Sequence, residues 1–88
     1  MSWVCKFDRR ALRELNKLDP QSKRQILAYL EERIKTDADP RRFGKRLKAN
    51  LAGLWRYRVG NYRVICQIVD NELIVLVLAV GHRKTIYE

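Results

Sequence analysis

Two hydrophobic periods divide the chain. Through residues 8–35 the apolar side chains recur at helical spacing, and through 54–80 they alternate or run on without interruption. Asp8 is an N-capping residue type, and Ala11, Leu12, Leu15 and Leu18 follow it on one face of a first helix. The pair Asp19-Pro20 stops that helix and starts another, with Asp as cap and Pro at the first helical position. The second helix places Ile26, Leu27, Leu30 and Ile34 on one face and Lys23, Arg24, Glu31, Glu32 and Lys35 on the other. Residues 3–7, WVCKF, read as a short strand. Residues 36–53 hold turn formers and no sustained period, so a basic connector is expected, with a short turn of helix near 45–49.

Three strands follow. Residues 54–59 alternate and end at Gly60-Asn61, residues 62–69 alternate and end at Asp70-Asn71, and residues 73–80 are continuously apolar. Two-residue loops of this composition signal hairpins. The expected fold is α+β, in the order β-α-α-β-β-β. A helical hairpin packs on one face of a mainly antiparallel four-stranded sheet, within a single domain spanning residues 1–88.

Tight hairpins also fix the pairing. Arg58 should face Arg63, and Arg56 should face Ile65. Across the second turn Val69 should face Glu72, Gln67 should face Ile74, Ile65 should face Leu76, and Arg63 should face Leu78. Alternation then puts Trp55, Tyr57, Val59, Tyr62, Val64, Cys66, Ile68, Leu73, Val75, Val77 and Ala79 on the face the helices cover. The other face holds Arg56, Arg58, Arg63, Ile65, Gln67, Ile74, Leu76 and Leu78. Its arginines gather at one end and its aliphatic residues at the other.

Charge sharpens this picture. Of a net +9, residues 40–69 carry +8, from eight Lys/Arg and no acid. A solvated surface mixes signs, so this block argues for a polyanionic partner. Like charges opposite each other in a sheet are destabilising, and a bound anion would relieve them. The arginine fork suits a phosphate because it donates two parallel hydrogen bonds. Besides the strand arginines, Arg41, Arg42, Lys45, Arg46 and Lys48 of the connector are candidates for contact with such a partner, a nucleic acid or an acidic protein. Cys5 and Cys66 sit in apolar alternating segments and are expected to be buried thiols; two cysteines make no metal-ligand or disulfide framework. The longest apolar run, 73–80, is far short of the ~20 residues of a spanning helix. The charged start MSWVCKFDRR does not read as a signal peptide, so a cytoplasmic protein with no membrane association is expected.

The tail VGHRKTIYE adds further chemistry. Gly81 permits a kink, after which come His82, Arg83 and Tyr87. Neighbouring positive charge favours a tyrosine's phenolate, and histidine titrates near neutrality unaided. Either Tyr87 or His82 could therefore accept a proton from a ribose hydroxyl, and the residues alone do not choose between them.

The segments F-D-x-x-A-L-x-E-L-x-K-L, LWRYRVGNYRVICQI and VGHRKTIYE, in this order and with this layout, resemble the RelE branch of the RelE/ParE toxin superfamily over essentially the whole chain. The resemblance implies a type II toxin that enters the ribosomal A site and cuts mRNA there. The ribose 2′-hydroxyl attacks the adjacent phosphate, leaving a 2′,3′-cyclic phosphate and a free 5′-hydroxyl, with no metal or other cofactor. By the same resemblance Tyr87 is the general base, assisted by Arg56 and Arg58. Arg63 stabilises the transition state, and Arg83 stabilises or protonates the leaving oxygen. His82 is kept as a reserve base or a contact to RNA or ribosome. Two departures stand out: positions 56 and 58 are both arginine where lysine is frequent, and no helix is expected after Tyr87. Arginine holds its proton near neutrality, which leaves those two positions electrostatic roles only. The implied partners are the ribosome with its mRNA and ribosomal RNA, and a RelB-like antitoxin whose amphipathic helix would cover Ile65, Gln67, Leu76 and Leu78. The alternative is a ParE-like toxin that binds DNA gyrase and cleaves no RNA.

Overall fold

The computed structural model describes residues 2–83. Strand β1 (Val4–Phe7) leads into helices α1 (Arg9–Asn16) and α2 (Pro20–Tyr29), and α2 runs on into a wide π-helical turn (Leu30–Ile34). Strands β2 (Lys45–Arg46), β3 (Trp55–Val59), β4 (Tyr62–Val69) and β5 (Ile74–His82) follow. Both helix starts behave as the sequence indicates. The Asp8 carboxylate accepts from the Ala11 amide at 2.8 Å, and Asp19 accepts from the Ser22 amide at 3.1 Å and the Ser22 hydroxyl at 2.7 Å. Each cap contributes about 1 kcal/mol.

Among the described residues the sheet has five strands in the order β1-β5-β4-β3-β2, one more than expected. Strand β1 runs parallel to β5, and the other pairs are antiparallel. The extra strand comes from the connector. Where a turn of helix was expected near 45–49, Lys45 pairs with Arg56 and Arg46 with Trp55, and a 3-10 turn occupies Ala49–Leu51. Gly44 allows this approach, because a Cβ there would lie 3.2 Å from the Tyr57 ring and 3.3 Å from the Trp55 ring. The buried Tyr57 hydroxyl donates to the Pro40 carbonyl at 2.8 Å and fastens the connector from below.

The helices cover one face. Ala11, Leu15, Ile26, Leu30 and Ile34 pack with Trp3, Tyr57, Val59, Val64, Cys66, Val75, Val77 and Val80 in one core. Leu12 and Leu27, expected in that core, are 47% and 39% exposed, because each lies at the margin of its helix's buried stripe.

The β3–β4 register is as the hairpin rule predicts, with Arg58 opposite Arg63 and Arg56 opposite Ile65. The β4–β5 register is not. Asp70–Glu72 form a 3-10 turn closed by Leu73 in the left-handed region (φ 54°), so the loop has four residues and Val69 pairs with Ile74. Gln67 therefore faces Leu76, a shift of two residues that leaves each face unchanged. A bulge then intervenes. Cys66 pairs with Val77 but Ile65 with Ala79, so Leu78 is the extra residue. Beyond it the faces of β5 exchange. Val80, 3% exposed, joins the core in place of Ala79, and Arg63 faces Gly81 instead of Leu78.

Candidate active site on the uncovered sheet face

The two arginines of the hairpin are cross-strand neighbours. Arg58 lies on β3 and Arg63 opposite it on β4, joined by the turn in which Gly60 adopts φ 60°. Only a residue free of the Cβ penalty fits that turn cheaply. Arg56 is next on the same face of β3, and Lys45 stands opposite it on β2. Lys45, Arg56, Ile65 and Ala79 thus form one row across four strands, and Arg58, Arg63 and Gly81 form the next. Lys45 was foreseen as a connector cation; its place beside Arg56 was not, since a two-residue strand carries too little pattern to be read.

Environments differ along the row. Arg58 is exposed, Arg56 half-buried, and Arg63 only 6% exposed. Arg63 Nη1 donates to the Tyr62 carbonyl at 3.4 Å. Arg83 is exposed, and its amide donates to the Asn61 carbonyl at 2.8 Å. That bond ties the end of β5 to the β3–β4 turn, so all four predicted arginines gather at one end of the sheet. Tyr87 lies outside the described residues.

His82 goes elsewhere. The bulge pairs it with Tyr62, and its ring meets the Tyr62 ring edge-on at 5.6 Å. Tyr62 belongs to the helix side, so the structure places His82 across the sheet from Arg58 and Arg63.

The connector cations divide into two groups. Arg41 is engaged within the fold: its guanidinium binds Asp70 at 2.5 Å and Asp39 at 3.3 Å, and lies 5.8 Å from the Trp55 ring centre. The hydrogen bond from Arg41 holds the Asp70 carboxyl below the usual carboxylate range. Arg46 takes Trp55 at 5.5 Å, and Arg42 takes Phe43 at 4.6 Å. These contacts leave Arg42, Lys45, Arg46 and Lys48 exposed. Arg41 is a link between connector and β4–β5 turn, which the sequence could not show without the Asp70 position.

Of the aliphatic end, Ile65 is 5% exposed, Leu76 and Leu78 are half-buried, and Gln67 is exposed. Leu76 faces Gln67 on one side and Lys6 of β1 on the other. Val4, 45% exposed beside Ile74, extends this apolar strip across β1.

The arrangement is a cationic row ending at a tight turn, an apolar strip behind it, and a helical hairpin across the sheet. That is the plan of a type II toxin, and the chain belongs to the RelE/ParE toxin superfamily. The family profile described as "ParE toxin of type II toxin-antitoxin system, parDE" matches residues 5–87. The chain is 38% identical to Toxin RelG of Mycobacterium tuberculosis, across 99% of this chain and 98% of that one. It is 30% identical to mRNA interferase toxin RelE of Escherichia coli, across 96% and 86%. Its fold matches the toxin–antitoxin complex RelBE2 of M. tuberculosis with a TM-score of 0.85 at 31% identity, covering 94% of this chain and 93% of that one. Among the described residues no helix is long and apolar enough to cross a membrane.

Proposed function

We propose that this toxin is a ribosome-dependent endoribonuclease that cleaves mRNA in the A site by attack of a ribose 2′-hydroxyl on the adjacent phosphate. The observation that carries the reading is the cross-strand pair Arg58–Arg63, with Arg56 and Lys45 in the next row. Cations held on a rigid hairpin are set in advance for the charge that develops on a pentacoordinate phosphate. Arg63, fixed by burial, stabilises that charge. Arg56 and Arg58 act electrostatically, lowering the cost of a phenolate at Tyr87, which takes the 2′-hydroxyl proton. The new O2′–P bond forms as the P–O5′ bond breaks. Arg83 stabilises the charge on the departing 5′-oxygen, which takes a proton from water to leave as a hydroxyl, and the 2′,3′-cyclic phosphate stays on the upstream fragment. The names RelG and mRNA interferase RelE among the relatives support this reading over gyrase binding. One small cationic face positions a scissile phosphate poorly, so the ribosome supplies the remaining alignment.

A RelB-like antitoxin is the proposed partner, its apolar side on Ile65, Leu76 and Leu78 and its acids toward the arginines. The solved relative captured with its antitoxin supports this. Primer extension on cellular mRNA after induction tests the activity. Codon-phased cuts in translated messages are expected, lost in Arg63→Ala and Tyr87→Phe. Intact mRNA with trapped gyrase–DNA complexes would overturn the proposal.

A further inference from the structure

Across β3 from the arginine row lies an open cleft of about 300 Å³. One wall is a face of α2 and its π-turn, formed by Gln25, Ala28, Tyr29, Glu32 and Arg33. These positions are spaced at three and four residues, so they form one continuous helical stripe. The other wall is the end of the hairpin: Arg58, Val59 and Gly60.

Arg58 belongs to both places. Its strand position sets it in the row with Arg63, yet it also lines the cleft. Strand β2 makes this possible, because it pairs with β3 only at Trp55 and Arg56. Beyond Arg56 no strand among the described residues lies against that β3 edge, so Arg58 borders both the row and the cleft. A nucleotide whose phosphate is held at Arg58 has a route over that edge into the cleft.

The cleft's chemistry differs from that of the face it adjoins. Glu32 stands in it, and among the described residues no ion pair takes up its carboxylate. Arg33, its neighbour, lies instead over the Tyr29 and Phe43 rings, at 5.7 Å and 5.3 Å. A carboxylate repels phosphate and accepts hydrogen bonds only. The part of a nucleotide suited to such a wall is a base bearing an exocyclic amine, which a Glu side chain reads as an acceptor. Gln25 offers an adjoining amide, packed within 3.1 Å of where a Cβ on Gly60 would lie. Half-buried Tyr29 and exposed Arg33 border the same space, where an aromatic edge and a guanidinium are groups that bases pack against. A π-helical turn on one wall is of the kind often found at functional sites.

We propose that this cleft is a base-binding subsite, selective for amine-bearing nucleobases, that receives a nucleotide flanking the scissile phosphate. The proposal rests on the RNA-cleaving reading, and its test needs no cleavage. The isolated toxin is titrated with cytidine 5′-monophosphate, uridine 5′-monophosphate and inorganic phosphate, each followed by amide and side-chain NMR. All three should shift the Arg58 guanidinium. Only the cytidine nucleotide should also shift the Gly60 amide and the Gln25 side-chain amide, binding about fivefold tighter than the uridine one. Glu32→Ala, an exposed substitution, should erase that difference while leaving phosphate binding unchanged. Equal affinities for the two nucleotides, or shifts confined to the arginine row, would overturn the subsite. Loss of RNA cleavage in cells with the NMR selectivity intact would instead count against the nuclease reading alone.

Discussion

The carboxylate of Glu14, on α1, accepts a hydrogen bond of 2.9 Å from the backbone amide of Val80, on β5. The contact sits two residues past the bulge, where the exchanged ladder begins. It spans the face between the helical hairpin and the sheet. The bulge decides which β5 positions turn toward the arginines: 79 and 81 after it, with Arg83 next in that parity. Glu14 therefore links the core to the geometry of the site.

Removing that acceptor strands a partly buried amide, at a cost of about 1–3 kcal/mol. Glu14→Ala should lower the urea midpoint and speed amide exchange at Val80, Gly81 and His82. Cleavage should fall further than the stability loss accounts for, because the bulge anchors Arg83. Glu14→Gln keeps an acceptor oxygen and should restore most of both. Unchanged exchange at Val80 in Glu14→Ala would mean the bulge holds itself.

The contrast between the two hairpins shows how far the sequence reached. Gly60-Asn61 announces its turn, and the register of Arg58 with Arg63 followed from it. At the second turn Leu73 takes a left-handed conformation that nothing in its residue type signals. The bulge is hidden for another reason. Residues 73–80 are apolar throughout, so no alternation marks a one-residue slip. The side on which His82 falls depended on that slip and was illegible. Strand β2 was missed because it has two residues, both basic, and only Gly44 hinted at a close approach. The aliphatic core and the arginine row survived these errors, since a two-residue shift preserves faces.

The ion pair Arg41–Asp70 makes stability depend on acid in a defined direction. Arg41 lowers the Asp70 pKa in the fold, so the folded state holds that proton less tightly than the unfolded chain. The stabilisation is complete above the unfolded carboxylate range and is lost as pH falls through the depressed folded value. The urea midpoint of Asp70→Asn should lie below that of the parent at neutral pH, and the gap should close below about pH 4. Both groups are partly exposed, so added salt should narrow the gap as well. A gap that persists unchanged at pH 2.5 would locate the effect in lost packing and not in charge.

Neither cysteine should behave as a reactive thiol. Cys66 is fully buried, and burial raises its pKa well above the ordinary value. Burial likewise pushes Cys5 up to about 11. The thiolate is the nucleophile, and at pH 7.5 its fraction at Cys5 is on the order of 10⁻³ or less. A disulfide-exchange reagent should label neither thiol in the native protein and both in 6 M urea, with the native rate following global unfolding. Rapid labelling of Cys66 without denaturant would show a local opening of β4.

Arg58 offers the clearest separation of function from stability. It is exposed, and its strand neighbour across the ladder is a second guanidinium. Like charges so placed cost roughly 0.2–1 kcal/mol. Arg58→Ala removes the repulsion and little packing, so it should raise the urea midpoint slightly. On the proposed function the same change deletes a cation that stabilises the transition state, and cleavage of A-site mRNA should fall by about 10²-fold. Arg58→Lys keeps the charge without the planar fork and should recover only part of that activity. Arg63→Ala differs, because its side chain is buried and should weaken the fold as well as the activity. Gain of stability with loss of cleavage at position 58 is the signature of a residue kept for its ligand. A loss of stability in Arg58→Ala would mean that the pair is held by contacts within the fold, and the anion-binding role would lose its main physical support.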